Sequence, residues 1–280
     1  MKLSNNTFMG CDCEYENADI ILFSAPFDST TTFRPGARFA GQAIRNDSNG
    51  IESFSPYQNV DLYDLLLSDC GELELPFGNA MRALEVIEEN TSKILDDGKV
   101  PLMIGGEHLV TYGAVKAVHN KYPDLHIMHF DAHADLRDDF YGERFSHSSV
   151  IRRVWDLLGS KKIFQYGIRS GLREEFEFAE FHNTIRYFDF DVIIRDIDAL
   201  KEVPVYLTID LDVLDPAFFP GTGTPEPGGV TFKELLDAVL SLKELNIVGC
   251  DVVELSPSYD PSGISTAAAC KIIRELLMII

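Results

Sequence analysis

The sequence predicts an α/β fold: a mostly parallel sheet with helices on both of its faces. Three observations lead there. Short apolar runs alternate with longer stretches of amphipathic spacing, the rhythm of strand-helix-strand units. Across the 280 residues no Pro/Ser-rich linker, repeat or low-complexity tract divides the chain, so one domain spanning 1–280 is expected. Several apolar runs also end in a carboxylate or an imidazole, and in open α/β sheets ligands bind beyond the carboxyl ends of the strands.

Strands are expected at residues 20–23, 100–104, 126–130, 163–166, 185–188, 205–209 and 247–254, each a short apolar run. Helices are expected at 79–96, 109–120, 148–158, 172–182 and 232–245, where apolar residues recur at helical spacing. The helix from Leu109 follows Gly105-Gly106, a helix-start context. The stretch from Pro220 to Gly229 is too rich in Gly and Pro for regular structure.

Composition excludes some classes. An apolar share of 45% suits a globular core, and no apolar run reaches the roughly 18 residues that span a bilayer. The N-terminus lacks the profile of a signal peptide, so cytoplasmic residence is expected. The five cysteines are odd in number and scattered, which argues against a disulfide framework, and Cys11-x-Cys13 reads as a chance pair. A formal net charge of −21 argues against nucleic acid or an anionic membrane as partner. It favours the approach of a cationic substrate, although an acidic surface also serves solubility.

The chemistry gathers at the strand ends. Asp131-Ala132-His133-Ala134-Asp135 follows one apolar run and Asp210-Leu211-Asp212 another. Alternate residues of an extended segment point the same way, so each run can present its acids and His133 on one side. Four carboxylates brought together cannot all stay ionised without a cation. Val100–Ile104 leads to Gly105-Gly106-Glu107-His108, and the run before Glu254 adds another carboxylate. Donors that are mostly oxygen, with two imidazoles and no thiolate, suit a pair of Mn²⁺ ions better than zinc. Two such ions sharing carboxylates make a hydrolytic device, because they bring the pKa of bound water from 15.7 toward about 7. His119, His126, His129 and His182 match no ligand pattern, and His126 and His129 read as structural residues of the strand feeding the site.

These residues resemble a known family. Gly-Gly-Glu-His (105–108), Phe-Asp-Ala-His-Ala-Asp (130–135), Ser-His-Ser-Ser (146–149) and Thr-Ile-Asp-Leu-Asp-Val-Leu-Asp-Pro (208–216) are similar to motifs of the ureohydrolase (arginase/agmatinase) family. Ala25-Pro26-Phe27-Asp28, Arg34 to Phe39, Ala43-Ile44-Arg45 and Gly167-Ile168-Arg169-Ser170 resemble its agmatinase branch. The resemblance implies a three-layer α/β/α arginase fold with a binuclear manganese centre. It implies His108, Asp131, Asp135 and Asp210 around one ion and Asp131, His133, Asp210 and Asp212 around the other, with Asp131 and Asp210 bridging. It further implies attack of a metal-bridging hydroxide on a guanidinium carbon, release of urea and an amine, and assembly into homotrimers or hexamers. His147 matches the family's proton-shuttle histidine, and imidazole suits that task near neutral pH. Glu254 suits a planar two-donor guanidinium, which it would bind and orient. Asp135 could hold the hydroxide by hydrogen bond while binding metal.

Residues 136–146 lack the Asn/Ser-rich pattern with which arginase meets an α-amino acid, and Asp138, Asp139 and Glu143 suit an amine tail. Agmatine, cleaved to putrescine and urea, is therefore the expected substrate. Arg137 and Arg144 could instead receive a carboxylate, as in guanidinobutyrate. Ala134 and Ser148-Ser149 depart from the usual agmatinase pattern close to the site. Guanidinobutyrase, formimidoylglutamase and arginase activities are the alternatives, followed by a catalytically silent metal-binding regulator. A zinc deacetylase of related fold would need a histidine pair that the sequence does not show.

Overall fold

The computed structural model describes residues 6–76, 78–182 and 184–280. Its strands are β1 (Ile20–Ser24), β2 (Phe54–Ser55), β3 (Val60–Asp61), β4 (Leu67–Glu72), β5 (Val100–Ile104), β6 (His126–Phe130), β7 (Ile163–Ile168), β8 (Thr184–Tyr187), β9 (Pro204–Asp210) and β10 (Asn246–Val253). Its helices are α1 (Ala40–Asp47), α2 (Ala80–Asp96), α3 (Val110–Lys121), α4 (Val150–Leu158), α5 (Arg173–His182), α6 (Ile193–Leu200), α7 (Phe232–Ser241) and α8 (Ile264–Leu277). Eight strands form one sheet in the order β4-β1-β5-β10-β9-β6-β7-β8, and each neighbouring pair in it is parallel. β2 and β3 form a separate antiparallel pair.

Side chains alternate across a strand, so a sheet covered on both faces must feed two cores. In β1, Ile20 and Leu22 enter one core while Ile21 and Phe23 enter the other; Leu102 and Ile104 of β5 are likewise divided from Met103. The first core is closed by α1, α6, α7 and α8, the second by α2, α3, α4 and α5. Each fully buried Leu, Ile or Phe contributes on the order of 1.5–3 kcal/mol. The three layers are thus held by the strands themselves. Local signals start two helices close to where they were expected: Asn79 accepts a hydrogen bond from Arg82 N at the start of α2, and Thr231 and Glu234 form a capping box at the start of α7, which ends at Ser241 and not at 245.

The sequence did not announce β4, the β2–β3 pair, α1, α6 or α8. β4 (Leu-Ser-Asp-Cys-Gly-Glu) is an edge strand with polar alternate positions and a glycine. α8 is buried along most of its length, so no polar face marks it; Arg274 and Glu275 lie inside it, paired with each other. No helix among the described residues is long and apolar enough to cross a membrane.

The functional consequence is in the middle of the sheet. β5, β10, β9 and β6 are consecutive neighbours. Their carboxyl ends lead to His108, Glu254, Asp210 and Asp131, so four distant stretches of chain meet along one short edge.

Candidate metal centre and active site

Asp131 and Asp210 end adjacent strands, and the remaining candidate ligands close on them. His108 Nδ1 lies 3.1 Å from Asp131 Oδ2, 3.2 Å from Asp135 Oδ2 and 3.4 Å from Asp210 Oδ2. His133 Nδ1 lies 3.0 Å from Asp212 Oδ2 and 3.5 Å from Asp131 Oδ1. All six residues are therefore gathered, but not by the extended geometry expected from their spacing of two. β6 stops at Phe130, and β9 passes into a 3-10 turn over Leu211–Val213. Turns do the work: Asp131 Oδ1 accepts from His133 N at 2.6 Å, and Asp210 Oδ1 from Asp212 N at 2.8 Å. Asp135 adopts φ 52°, a left-handed conformation uncommon outside glycine and often found at functional sites. Arg169 braces the second turn by donating to the carbonyls of Asp212 and Val213.

The donor set fits divalent cations, and His108 shows why. Thr208 Oγ1 donates its only proton to Asp251 Oδ1 at 2.6 Å, so toward His108 Nε2, 3.0 Å away, it accepts. Nε2 therefore carries a proton. Nδ1 is left buried without a hydrogen-bond partner, facing three carboxylates. Burial disfavours the charged imidazole, yet Asp131, Asp135 and Asp210 outweigh it and raise the His108 pKa well above its ordinary value. A cation among these groups would displace that proton and neutralise the acids. Burial, with Asp212 and Asp131 nearby, likewise pushes Asp210 well up, and burial with Asp131 pushes Asp135 up to about 7. The cluster is uncomfortable without cations.

Thr208→Val keeps the shape of the side chain and removes the hydroxyl. Partners of metal-binding histidines typically contribute 10- to 100-fold to affinity. Isothermal calorimetry with Mn²⁺ should therefore show affinity lowered by about that factor, and near-native affinity in Thr208→Ser. Equal affinity in all three proteins would refute the role given to Thr208.

His129 proves to be more than a packing residue of β6. It is fully buried, and its Nε2 lies 2.8 Å from Asp131 Oδ2. With His108 and Asp131 it even forms a compact trio of possible ligand atoms. Gln165 decides its role. The Gln165 amide donates to Ala134 O at 2.8 Å and to His129 Nδ1 at 3.1 Å. Nδ1 must then be the acceptor nitrogen and Nε2–H the donor to Asp131. Burial lowers the His129 pKa, in keeping with a neutral ring. His129 thus orients Asp131 from behind. His126 instead sits at the strand's other end, bonded to Asp124 O.

A cavity of about 220 Å³ opens over the cluster, lined by His108, His133, Asp135 and Asp210, by Glu254 and His147, and by Thr32, Arg137, Phe140, Ser170 and Thr224. Glu254 reaches it from φ 66° just past β10, with Oε1 accepting from His108 N at 3.0 Å. Burial, with Glu107 and Asp212 nearby, raises the Glu254 pKa well above the usual carboxylate range. His147 begins the 3-10 turn ahead of α4, and burial pushes its imidazole down to about 4. The loop acids expected to meet an amine tail do not line the cavity. Asp138 pairs with Arg153, Asp139 accepts from Gly142 N, and Glu143 is exposed. Arg137 is the charged residue of that loop on the cavity wall, stacked over Phe140 with its Nε 3.7 Å from Glu175. Thr224, from the Pro/Gly loop, donates to Asp212 Oδ2 at 3.2 Å.

This geometry can be set beside known proteins. Residues 18–279 match the model of the arginase family. The chain belongs to that family. It is a ureohydrolase enzyme, with the family's α/β fold. It is 48% identical to an agmatinase of Bacillus subtilis (strain 168), over 98% of this chain and 96% of that protein. The crystal structure of an agmatine ureohydrolase of Thermoplasma volcanium superposes with a TM-score of 0.89 at 34% identity, covering 99% of this chain and 94% of that one. A mitochondrial guanidino acid hydrolase of Homo sapiens is 33% identical over 94% of this chain and 78% of its own length.

Proposed function

We propose that this ureohydrolase converts agmatine and water to putrescine and urea, using two Mn²⁺ ions per subunit. One observation carries the reading: a guanidinium-sized acceptor, Glu254, and a neutral imidazole, His147, line the same small cavity above the His/Asp cluster. Its volume, below the roughly 300–1,000 Å³ of sites for drug-sized ligands, suits a small metabolite. His108, His133, Asp131, Asp135, Asp210 and Asp212 would hold the ions, which when bound make hydroxide available near neutral pH. Glu254, once ionised, receives the guanidinium N–H groups and fixes the carbon facing the cluster. Asp135, itself one of these six, also accepts a hydrogen bond from the attacking water or hydroxide. The carbon gains that oxygen and loses its bond to the tail nitrogen. His147, neutral at its low pKa, takes on Nε2 the proton that the attacking oxygen gives up and passes it to the departing nitrogen.

The similarity to agmatinases supports an amine tail. Arg137 favours a second reading, hydrolysis of a guanidino acid whose carboxylate it would meet. With Mn²⁺ supplied, urea release should be fastest from agmatine and slower from arginine and guanidinobutyrate. Faster guanidinobutyrate turnover would select the second reading. Absence of urea from all three would remove both.

A further inference from the structure

Glu107 of the Gly-Gly-Glu-His motif is fully buried beside the site. Among the described residues no cation pairs with it. Its Oε1 instead accepts from Thr30 N at 3.1 Å and from Thr30 Oγ1 at 2.5 Å, and its Oε2 from Leu109 N at 3.0 Å. Burial pushes its pKa up to about 7 against these hydrogen bonds. Two of these three hydrogen bonds come from one threonine.

Thr30 holds His147 at two points. Its hydroxyl, having donated to Glu107, accepts from His147 N at 3.0 Å, and its carbonyl accepts from His147 Nδ1 at 2.9 Å. A carbonyl can only accept, so Nδ1 carries the proton and Nε2 keeps its lone pair. Thr32 Oγ1 lies 3.3 Å from Nε2, on the cavity wall. The nitrogen free to exchange protons is thus the one turned toward the cavity. The carrying loop is itself clamped, for Phe27 O accepts from Glu107 N at 2.8 Å. A Cβ at Gly106 would sit 1.8 Å from Phe27 O, so only glycine lets the two segments approach this closely.

We infer that Glu107 and Thr30 are positioning residues for the reaction: they fix the ring orientation and tautomer of His147 so that Nε2 faces the substrate's leaving nitrogen. Consecutive residues then divide the work. His108 enters the metal cluster while Glu107 holds the proton carrier, so one turn after β5 sets both against each other. The inference rests on the proton-shuttle role proposed for His147.

Two measurements test it, and they separate its failure from that of the proposed activity. The first reads the ring directly. In full-length protein labelled with ¹⁵N-histidine and supplied with diamagnetic Mg²⁺, the His147 resonances, assigned by their loss in His147→Asn, should report the Nδ1–H tautomer. They should shift toward a tautomer mixture in Thr30→Val and keep the wild-type pattern in Thr30→Ser. An Nε2–H tautomer in the wild type, or no change in Thr30→Val, would overturn the inference even if no substrate is ever turned over. The second is a double-mutant cycle in urea release with Mn²⁺. His147→Asn should lose much of the roughly 10²–10⁴-fold that a positioned acid–base group contributes. Thr30→Val should lose about 10- to 100-fold of that in kcat, with KM and bound Mn²⁺ unchanged, and the double variant should match His147→Asn alone. Additive losses would assign Thr30 a structural role independent of His147.

Discussion

Asp210→Asn should give a folded protein that releases no urea from any guanidino substrate and gains no thermal stability from Mn²⁺. Asp210 ends the central strand β9 and lies 3.4 Å from His108 Nδ1. An amide offers one neutral oxygen where a carboxylate would bridge two cations. In the wild type, Mn²⁺ at about 100 times its dissociation constant should add about 2.7 kcal/mol, which moves the melting point by roughly 5–10 °C for a chain of this size. Without metal the order reverses. Asp210 is pushed well up by burial, Asp212 and Asp131, so its charge opposes folding and the neutral amide removes that opposition. The metal-free variant should melt no lower than the metal-free wild type.

The same charges set a pH dependence. Asp135, raised to about 7, contributes stability that is fully present below about pH 4, where folded and unfolded forms are both protonated. That contribution is lost as pH rises through 7. His108 and His133 are raised well above 6.5, where Asp131, Asp135, Asp210 and Asp212 outweigh burial, so they act in the same direction at higher pH. Metal-free protein should therefore lose stability from these groups between about pH 4 and 7 and beyond, while the Mn²⁺-induced gain grows because bound protons no longer have to be displaced. Melting curves with and without Mn²⁺ at three pH values measure both. A melting point that Mn²⁺ raises equally in Asp210→Asn would defeat the bridging role.

Much of this site could be read from residues in a row, because strand ends carry their chemistry locally. Apolar runs ending at Asp131, Asp210, Glu254 and the Gly105–His108 turn identified the four strands that turn out to be neighbours. What escaped has a common cause. Thr208 meets His108, Thr30 meets His147 and Gln165 meets His129 across 100, 117 and 36 positions of chain. Each is a hydroxyl or amide of ordinary composition, and its meaning comes from which lone pair is left when its other bonds are made. His129, read as structural, hides its hold on Asp131 for the same reason: its spacing from Asp131 is visible, its tautomer is not. The loop acids failed differently. Asp138 looked like a receptor for a cation, and it found one in Arg153, elsewhere in the protein.

Glu254→Gln should leave metal binding intact and lower kcat/KM for the guanidino substrate by roughly 10²–10⁴, because removing one partner of a buried ion pair costs about 3–5 kcal/mol and each 1.4 kcal/mol is tenfold. The glutamine can still accept from His108 N, as Glu254 Oε1 does at 3.0 Å, so the turn after β5 keeps its anchor. What it cannot do is balance the substrate's positive charge in a cavity that holds Arg137 and, with metals bound, two further cations. Glu254→Asp should fare little better: its backbone is already turned to φ 66°, and a shorter side chain withdraws the carboxylate from the cavity. A pH signature of the metal-free protein separates this from a packing defect. Without metal, burial and Glu107 hold the Glu254 carboxyl above the usual carboxylate range, so binding of a guanidinium to metal-free protein should strengthen as pH rises. That pH dependence should vanish in Glu254→Gln, which has nothing to ionise. A variant that kept it, or kept wild-type kcat/KM, would show that the guanidinium is held by another group.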